Sequence, residues 1–362
     1  MRHTLLLVSL LATLVPYIAF AQEASSGIDV RATVTAQTIS SNELTEEPRS
    51  GSPITAGYRS VVYPTIKLDD HLVITAALQS ISRPYYYGTL SNPGYGITDN
   101  ILHASINYSR TSENSSLLLR AGVLPTAFGS FPLRYDDANN PFADAPLQYG
   151  YYDAPVTTLG LPGAQIDVTH SKWDGRVQLT NSSPANPRSA FAADQYPNWT
   201  IGAGYTIRQG FRIGVSAYRG PFLSRDSDYF LPGESNPNKL SARSAGVDVQ
   251  WTQGYWNLIG EWQTFVFPYH ALPTSREQAG YVEVKRTLSP RWYVAARGGY
   301  THSSPDSNVQ NLEFTGGLRT NRFQTIKFTY GFYREVEDSI SFDHMAAVQL
   351  VTSMHLFSHA NR

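Results

Sequence analysis

The chain has 362 residues and a formal net charge of −1, with charged residues at 16%, so no nucleic-acid partner is expected. It contains no cysteine, which excludes disulfides, thiolate catalysis, iron–sulfur ligation and a lipid-modified N-terminal cysteine. Aromatics at 12%, with 27 Gly and 22 Pro spread along the chain, suit an all-β protein with many turns.

The first segment reads as a targeting sequence. Arg2 and His3 form a short basic region, Leu5 to Val15 an apolar core, and Ala19-Phe20-Ala21 an A-x-A cleavage site. Residues 1–21 are therefore expected to be a removed signal peptide and residues 22–362 the mature domain. The apolar core is too short to span a bilayer, and no later stretch approaches the roughly 18 apolar residues of a transmembrane helix.

From there the chain alternates with period two. Ile28, Val30, Ala32, Val34 and Ala36 stand opposite Asp29, Arg31, Thr33, Thr35 and Gln37. The same pattern returns in Leu72–Leu78, in Leu102–Tyr108 against His103, Ser105 and Asn107, and in Leu117–Val123 against Arg120 and Gly122. It recurs in Phe211–Ala217, Ala245–Trp251, Leu312–Leu318 and Ile326–Phe332, and finally from Ala346 to about Phe357. This predicts strands at 28–37, 58–68, 72–83, 100–110, 116–124, 163–170, 173–181 and 198–208. Those that follow are 211–219, 242–252, 255–265, 278–287, 292–301, 309–319, 323–333 and 343–357. Eighteen strands remain open, because Leu147–Tyr152 could hide more strand.

Connection lengths separate a membrane barrel from a soluble sandwich, which also alternates. Short joints such as His170–Trp173 and Arg208–Gly210 interleave with long ones such as 125–162 and 220–241, as in outer-membrane barrels. The apolar faces carry almost no mid-strand charge, and Trp199, Trp251, Trp256, Trp262, Trp292, Tyr300, Tyr330 and Phe332 share their register, as interfacial girdles do. The expected fold is an all-β, antiparallel, up-and-down transmembrane barrel of about 16 strands, in contact with outer-membrane lipid and lipopolysaccharide. Barrels of that size leave an aqueous lumen, and residues 22–27 are too few to form a plug.

The longest connection follows the fifth strand and begins Pro125-Thr126-Ala127-Phe128-Gly129-Ser130-Phe131-Pro132-Leu133-Arg134-Tyr135-Asp136-Asp137. With this layout the chain resembles the general outer-membrane porin family over essentially its whole mature length. The resemblance implies 16 strands, a third loop folded into the barrel to narrow it, and homotrimers. The loop has no clear match to the acidic tip motif of that family, so its arginine ladder does not transfer residue by residue. Arg120-Ala121-Gly122-Val123-Leu124-Pro125, leading into Phe128-Gly129, is also similar to the strand–loop junction of phosphate- and carbohydrate-type porins.

Fixed charges act most strongly where a pore is narrow. Arg120, Arg176, Arg212, Arg297, Arg319 and Lys327 fall on the inward register as a candidate basic wall, which Arg31 and Lys285 could join. Arg134, Asp136, Asp137 and Asp144 are candidate constriction-loop residues, the three aspartates as an acidic side facing that wall. Glu261, Glu283, Glu313, Asp29, Asp167 and Asp248 share the inward register, so no strong ion preference is expected. The expected function is a porin of the cell outer membrane, a channel for passive diffusion of small hydrophilic solutes or ions, with no enzyme activity. A non-conducting barrel for adhesion or assembly is the first alternative. The second is a hydrolase using His103, Ser105 and Asn107. No cofactor is expected, and no metal, because His170, His270, His302 and His344 are scattered.

Overall fold

The structure is a computed structural model that describes residues 26–42, 44, 53–83, 85, 96–130, 136–149, 160–181, 197–222, 240–270, 272–303, 307–335 and 342–361. The expected signal peptide lies outside these residues. The first strands are β1 (Ser26–Ser41), β2 (Ile54–Lys67), β3 (Leu72–Arg83), β4 (Gly96–Thr111) and β5 (Ser115–Leu124). After the long loop come β6 (Leu161–His170), β7 (Trp173–Thr180), β8 (Asn198–Arg208), β9 (Phe211–Pro221), β10 (Ser241–Gln253) and β11 (Trp256–Phe267). β12 (Ser275–Thr287), β13 (Trp292–Ser303), β14 (Ser307–Arg319), β15 (Gln324–Glu335) and β16 (Asp343–Asn361) complete the chain.

Every strand pairs antiparallel with its neighbours in sequence, and β1 pairs with β16 from Ser26↔Asn361 to Ser41↔Met345. The barrel therefore closes with 16 strands, and the 18-strand alternative falls. Closure satisfies the backbone groups of every edge, which lipid cannot do. Residues 147–149 form a helical turn instead of a further strand.

Side chains divide as a lipid-facing wall and a wet interior require. Val215 (56% exposed), Phe314 (47%) and Phe328 (51%) point outward, whereas Gln349, Glu313 and Thr35 are fully buried inside. Trp199, Trp256, Trp262, Trp292 and Tyr330 are on the outer surface. Trp262 and Tyr300 stack with ring planes 9° apart, either side of Gly280 in the pairing register. One register detail differs from the alternation read in the sequence. A bulge between β3 and β4 puts Leu78 opposite Ile101, so Ile101 (52% exposed) takes the outward place given to Leu102.

The short turns, such as those at 171–172, 209–210 and 254–255, share one rim with both ends of the barrel chain, and the long connections share the other. At the β2–β3 turn, Asp69 Oδ1 accepts the backbone N–H of His71 at 2.7 Å and of Leu72 at 2.8 Å. These two hydrogen bonds hold its carboxyl below the usual carboxylate range.

Candidate functional site

The loop after β5 folds into the barrel. It leaves β5 at Pro125, whose carbonyl accepts from the Gln178 amide of β7 at 2.7 Å, while Ala127 N–H donates to Gln178 Oε1 at 3.1 Å. Phe128 then packs edge-on to Tyr218 of β9 and Phe265 of β11, with centroids 6.3 and 5.9 Å away. The turn at Gly129 has φ +79°, and a Cβ there would strike the Tyr149 hydroxyl and the Glu261 carboxylate, so glycine is required.

Glu261 of β11 gathers both arms of the loop. It accepts Ser130 N–H at 2.9 Å, Ser130 Oγ–H at 3.0 Å and the Tyr149 hydroxyl at 2.7 Å, and Gln263 donates to it at 2.7 Å. The middle of the loop lies against β13–β16 and β1–β2. Arg297 donates to Glu313 at 2.6 Å and to the carbonyls of Asp144 and Ala145 at 2.9 and 3.0 Å, with its guanidinium over the Phe142 ring. Lys327 donates to the carbonyls of Asp137 and Phe142 at 2.6 and 3.2 Å and to Gln349 at 2.8 Å. Tyr293 donates to Pro141 O, and Ala143 N–H donates to Thr329.

The loop acids face this wall. Asp136 accepts from Thr33 at 3.1 Å and from Tyr63, Asp137 from Arg59 at 3.1 Å and Tyr85 at 2.9 Å, and Asp144 from Tyr333 at 3.3 Å. All three are buried, whereas the described loop residues that are exposed are the uncharged Ala138 and Asn139. The physical reason is that a carboxylate brought out of water needs donors, and the wall supplies them. Arg134 lies outside the described residues.

The expected inward set is thus divided by its contacts. Arg297, Lys327, Glu261 and Glu313 are buried in contacts that hold the loop, with Glu283 3.9 Å from Arg297. Arg120, Arg176 and Arg212 lie on the part of the wall that the described loop residues leave free. Side-chain exposure there is 32% for Arg120, 27% for Asp167, 20% for Arg212, 29% for Asp174 and 12% for Asp248. Arg120 approaches Asp167 at 3.4 Å. Arg212 bridges Asp174 (2.6 and 2.8 Å) and Asp248 (2.8 Å). Gly204 and Gly214 make room for this, since a side chain on either would run into the Arg212 guanidinium, and Gly202 lies against the Arg176 side chain. Arg319 is exposed near the short-turn rim, where Arg31 pairs with Asp29 at 3.0 Å, and Lys285 sits over the Tyr293 ring at 4.5 Å.

Sequence reasoning passed over Arg59, Tyr85, Tyr149, Gln178 and Gln349. A signal existed for Arg59: it shares the inward register, and an acidic loop entering a barrel needs cationic partners on the wall.

The triplet considered for hydrolysis is not assembled as a nucleophile and base, because Ser105 Oγ donates to Asn107 at 3.0 Å and not to His103. A Ser115–His170 contact of 2.7 Å lies exposed on the short-turn rim, with no described carboxylate on the imidazole. No group of residues able to hold a metal occurs among the described residues.

No family model matches the sequence, and no curated protein matches it. Solved structures do share the fold. An anion-selective porin from Comamonas acidovorans superposes with TM-score 0.62 at 9% identity, covering 91% of this chain and 100% of that one. OmpF of Salmonella typhi, in complex with daunomycin, gives 0.61 at 10% identity, covering 92% and 99%. OmpT in trimer form, an outer membrane protein of Vibrio cholerae, gives 0.60 at 9% identity, covering 91% and 100%. The chain has the fold of a porin-like outer-membrane β-barrel.

Proposed function

We propose that this barrel is an outer-membrane channel through which small hydrophilic solutes or ions diffuse passively. The observation that carries the reading is the one-sided seat of the loop. Beyond its root on Gln178 of β7, its described residues are bonded to β9, β11, β13, β15, β16, β1 and β2, and they leave charged, partly exposed side chains on the inner face of β5–β10. Side chains such as Arg212 and Asp174 retain water contact on that face, and a hydrated lumen conducts unless it is closed. Since the described acids of the loop face the wall, the pore charge resides on the free wall, where Arg120 and Arg212 stand beside Asp167, Asp174 and Asp248. Arg176 shares that face and makes no ion pair with a described residue. This arrangement supports weak ion selectivity. The outer apolar band suits contact with lipid and lipopolysaccharide, and homotrimers are proposed from the fold-level likeness to a protein solved in trimer form.

The test is planar-bilayer recording of purified, heat-modifiable protein. Stepwise conductance that rises with salt is expected. A correctly folded barrel that inserts and gives no steps overturns the channel reading and favours a barrel whose loops act in adhesion or assembly.

A further inference from the structure

Resting on the channel reading, we infer that a recess in the free wall between β3 and β5 is a binding subsite for a small monocarboxylate with an apolar body. The recess has a volume of about 330 Å³ and lies where the loop leaves β5, at Leu124 and Pro125. That volume is at the lower end for ligand sites, so the ligand is small.

The register explains why the recess exists. On β4 and β5 the inward pairs run Asn107↔Arg120 and Ser105↔Gly122, with His103 one inward place further along β4. His103 and Arg120 thus flank the pair with the least side-chain volume. Gly122 has φ +137°, and a Cβ there would collide with the Ala104 carbonyl, so this inward place carries no side chain.

The polar groups divide into satisfied and free. Ser105 Oγ donates to Asn107, and the Asn107 amide donates to Thr75 at 2.9 Å and to Val73 O at 3.2 Å. These groups are closed on one another. His103 and Arg120 also line the recess but make no hydrogen bond with any described residue. The Arg120 Nε is buried without a hydrogen-bond acceptor. Its neighbour Asp167 stands 3.4 Å away and already accepts two hydrogen bonds from Gln165 at 2.8 and 2.9 Å. A guanidinium has five donors in a planar fork that matches a carboxylate, and one contact of 3.4 Å leaves most of them for a ligand.

Apart from Ser109, the remaining lining is apolar: Val73, Leu118, Leu124 and Pro125. A fully hydrated oxyanion gains nothing from these surfaces, whereas a hydrocarbon body gains by leaving water. The arrangement therefore selects a carboxylate at Arg120 and His103 with its apolar part on the leucines. A cation would face the guanidinium, and a polyanion would also meet Asp167.

The test titrates sodium benzoate, sodium acetate or inorganic phosphate into a chloride bath during single-channel recording. Benzoate is expected to lower conductance saturably, with acetate at least tenfold weaker and phosphate without a saturable effect. Arg120→Gln and His103→Ala should each weaken benzoate at least tenfold, with folding checked by heat modifiability. Arg110→Gln, on the outer face of β4, should leave the benzoate response unchanged. A linear response to benzoate, equal responses to benzoate and phosphate, or full benzoate saturation in Arg120→Gln overturns the subsite. Benzoate binding by calorimetry in detergent, against a micelle blank, reads the subsite separately from conductance. Failure of the recess and failure of the channel are then distinguishable.

Discussion

Glu261→Ala removes the acceptor that ties both arms of the inward loop to β11. Three of its four hydrogen bonds come from the loop: Ser130 N–H, Ser130 Oγ–H and Tyr149 Oη–H. Hydrogen bonds to a charged group contribute about 1.5–3 kcal/mol each. At the lower end the three sum to about 4–5 kcal/mol, or a factor of about 10³ in the docked-to-undocked ratio of that part of the loop. The middle of the loop keeps its own contacts to Arg297, Lys327 and Arg59, so the barrel and the seat of that part of the loop should persist. Open-channel current noise should therefore rise, and amide hydrogens at residues 126–130 should exchange faster, while the heat-modifiable band is unchanged. Glu261→Gln keeps an acceptor oxygen but loses the charge, so its effect should be intermediate. Unchanged exchange at residues 126–130 in Glu261→Ala would refute this account of the anchor.

Arg297→Met leaves Glu313 and Glu283 buried without their cation, which should lower barrel stability by about 3–5 kcal/mol in urea unfolding. Arg297→Lys should not restore it, because an ammonium cannot span Glu313 and two carbonyls as the planar fork does. Arg212→Gln releases Asp174 and Asp248 on the free wall, so reversal potentials in asymmetric salt should move toward cation preference. One unit charge acting across about 8 Å of water is worth about 0.5 kcal/mol, or about twofold for each ion. Asp69→Ala should destabilise the β2–β3 turn at neutral pH. The folded Asp69 carboxyl is held below its ordinary 3.8 by the His71 and Leu72 N–H groups, so its contribution is present above that value and lost as pH falls through the depressed one. The difference in urea midpoint between variant and wild type should accordingly shrink as pH drops below 3.8.

The barrel was legible because its determinants are local. Period-two alternation follows from strand geometry itself, and short joints such as 209–210 can only be hairpins, so neighbouring strands had to pair antiparallel. Closure was legible as well, since a lipid-facing sheet tolerates no edge. The bulge near Leu102 was not, because one extra residue in a strand shifts the register without altering composition.

The interior depended on tertiary structure. Inward register placed Arg120, Arg176, Arg212, Arg297 and Lys327 on one surface, and the chain itself carries nothing that says which of them the loop covers. That follows from the way residues 125–130 and 136–149 seat on the wall, which brings Asp137 to Arg59 and Lys327, partners 78 and 190 positions away. An acidic loop looked like one pole of a transverse field. Once folded, its described carboxylates are buried against the wall, because removal from water makes a donor more valuable to them than an open lumen. Sequence by itself determined an antiparallel barrel of about sixteen strands, with eighteen still open, and a polar inner face, since alternation and turn length are properties of neighbouring residues; barrel closure fixed the count at sixteen. The tertiary structure decided which inner charges hold the loop and which face the channel, since that depends on contacts between residues far apart in the chain.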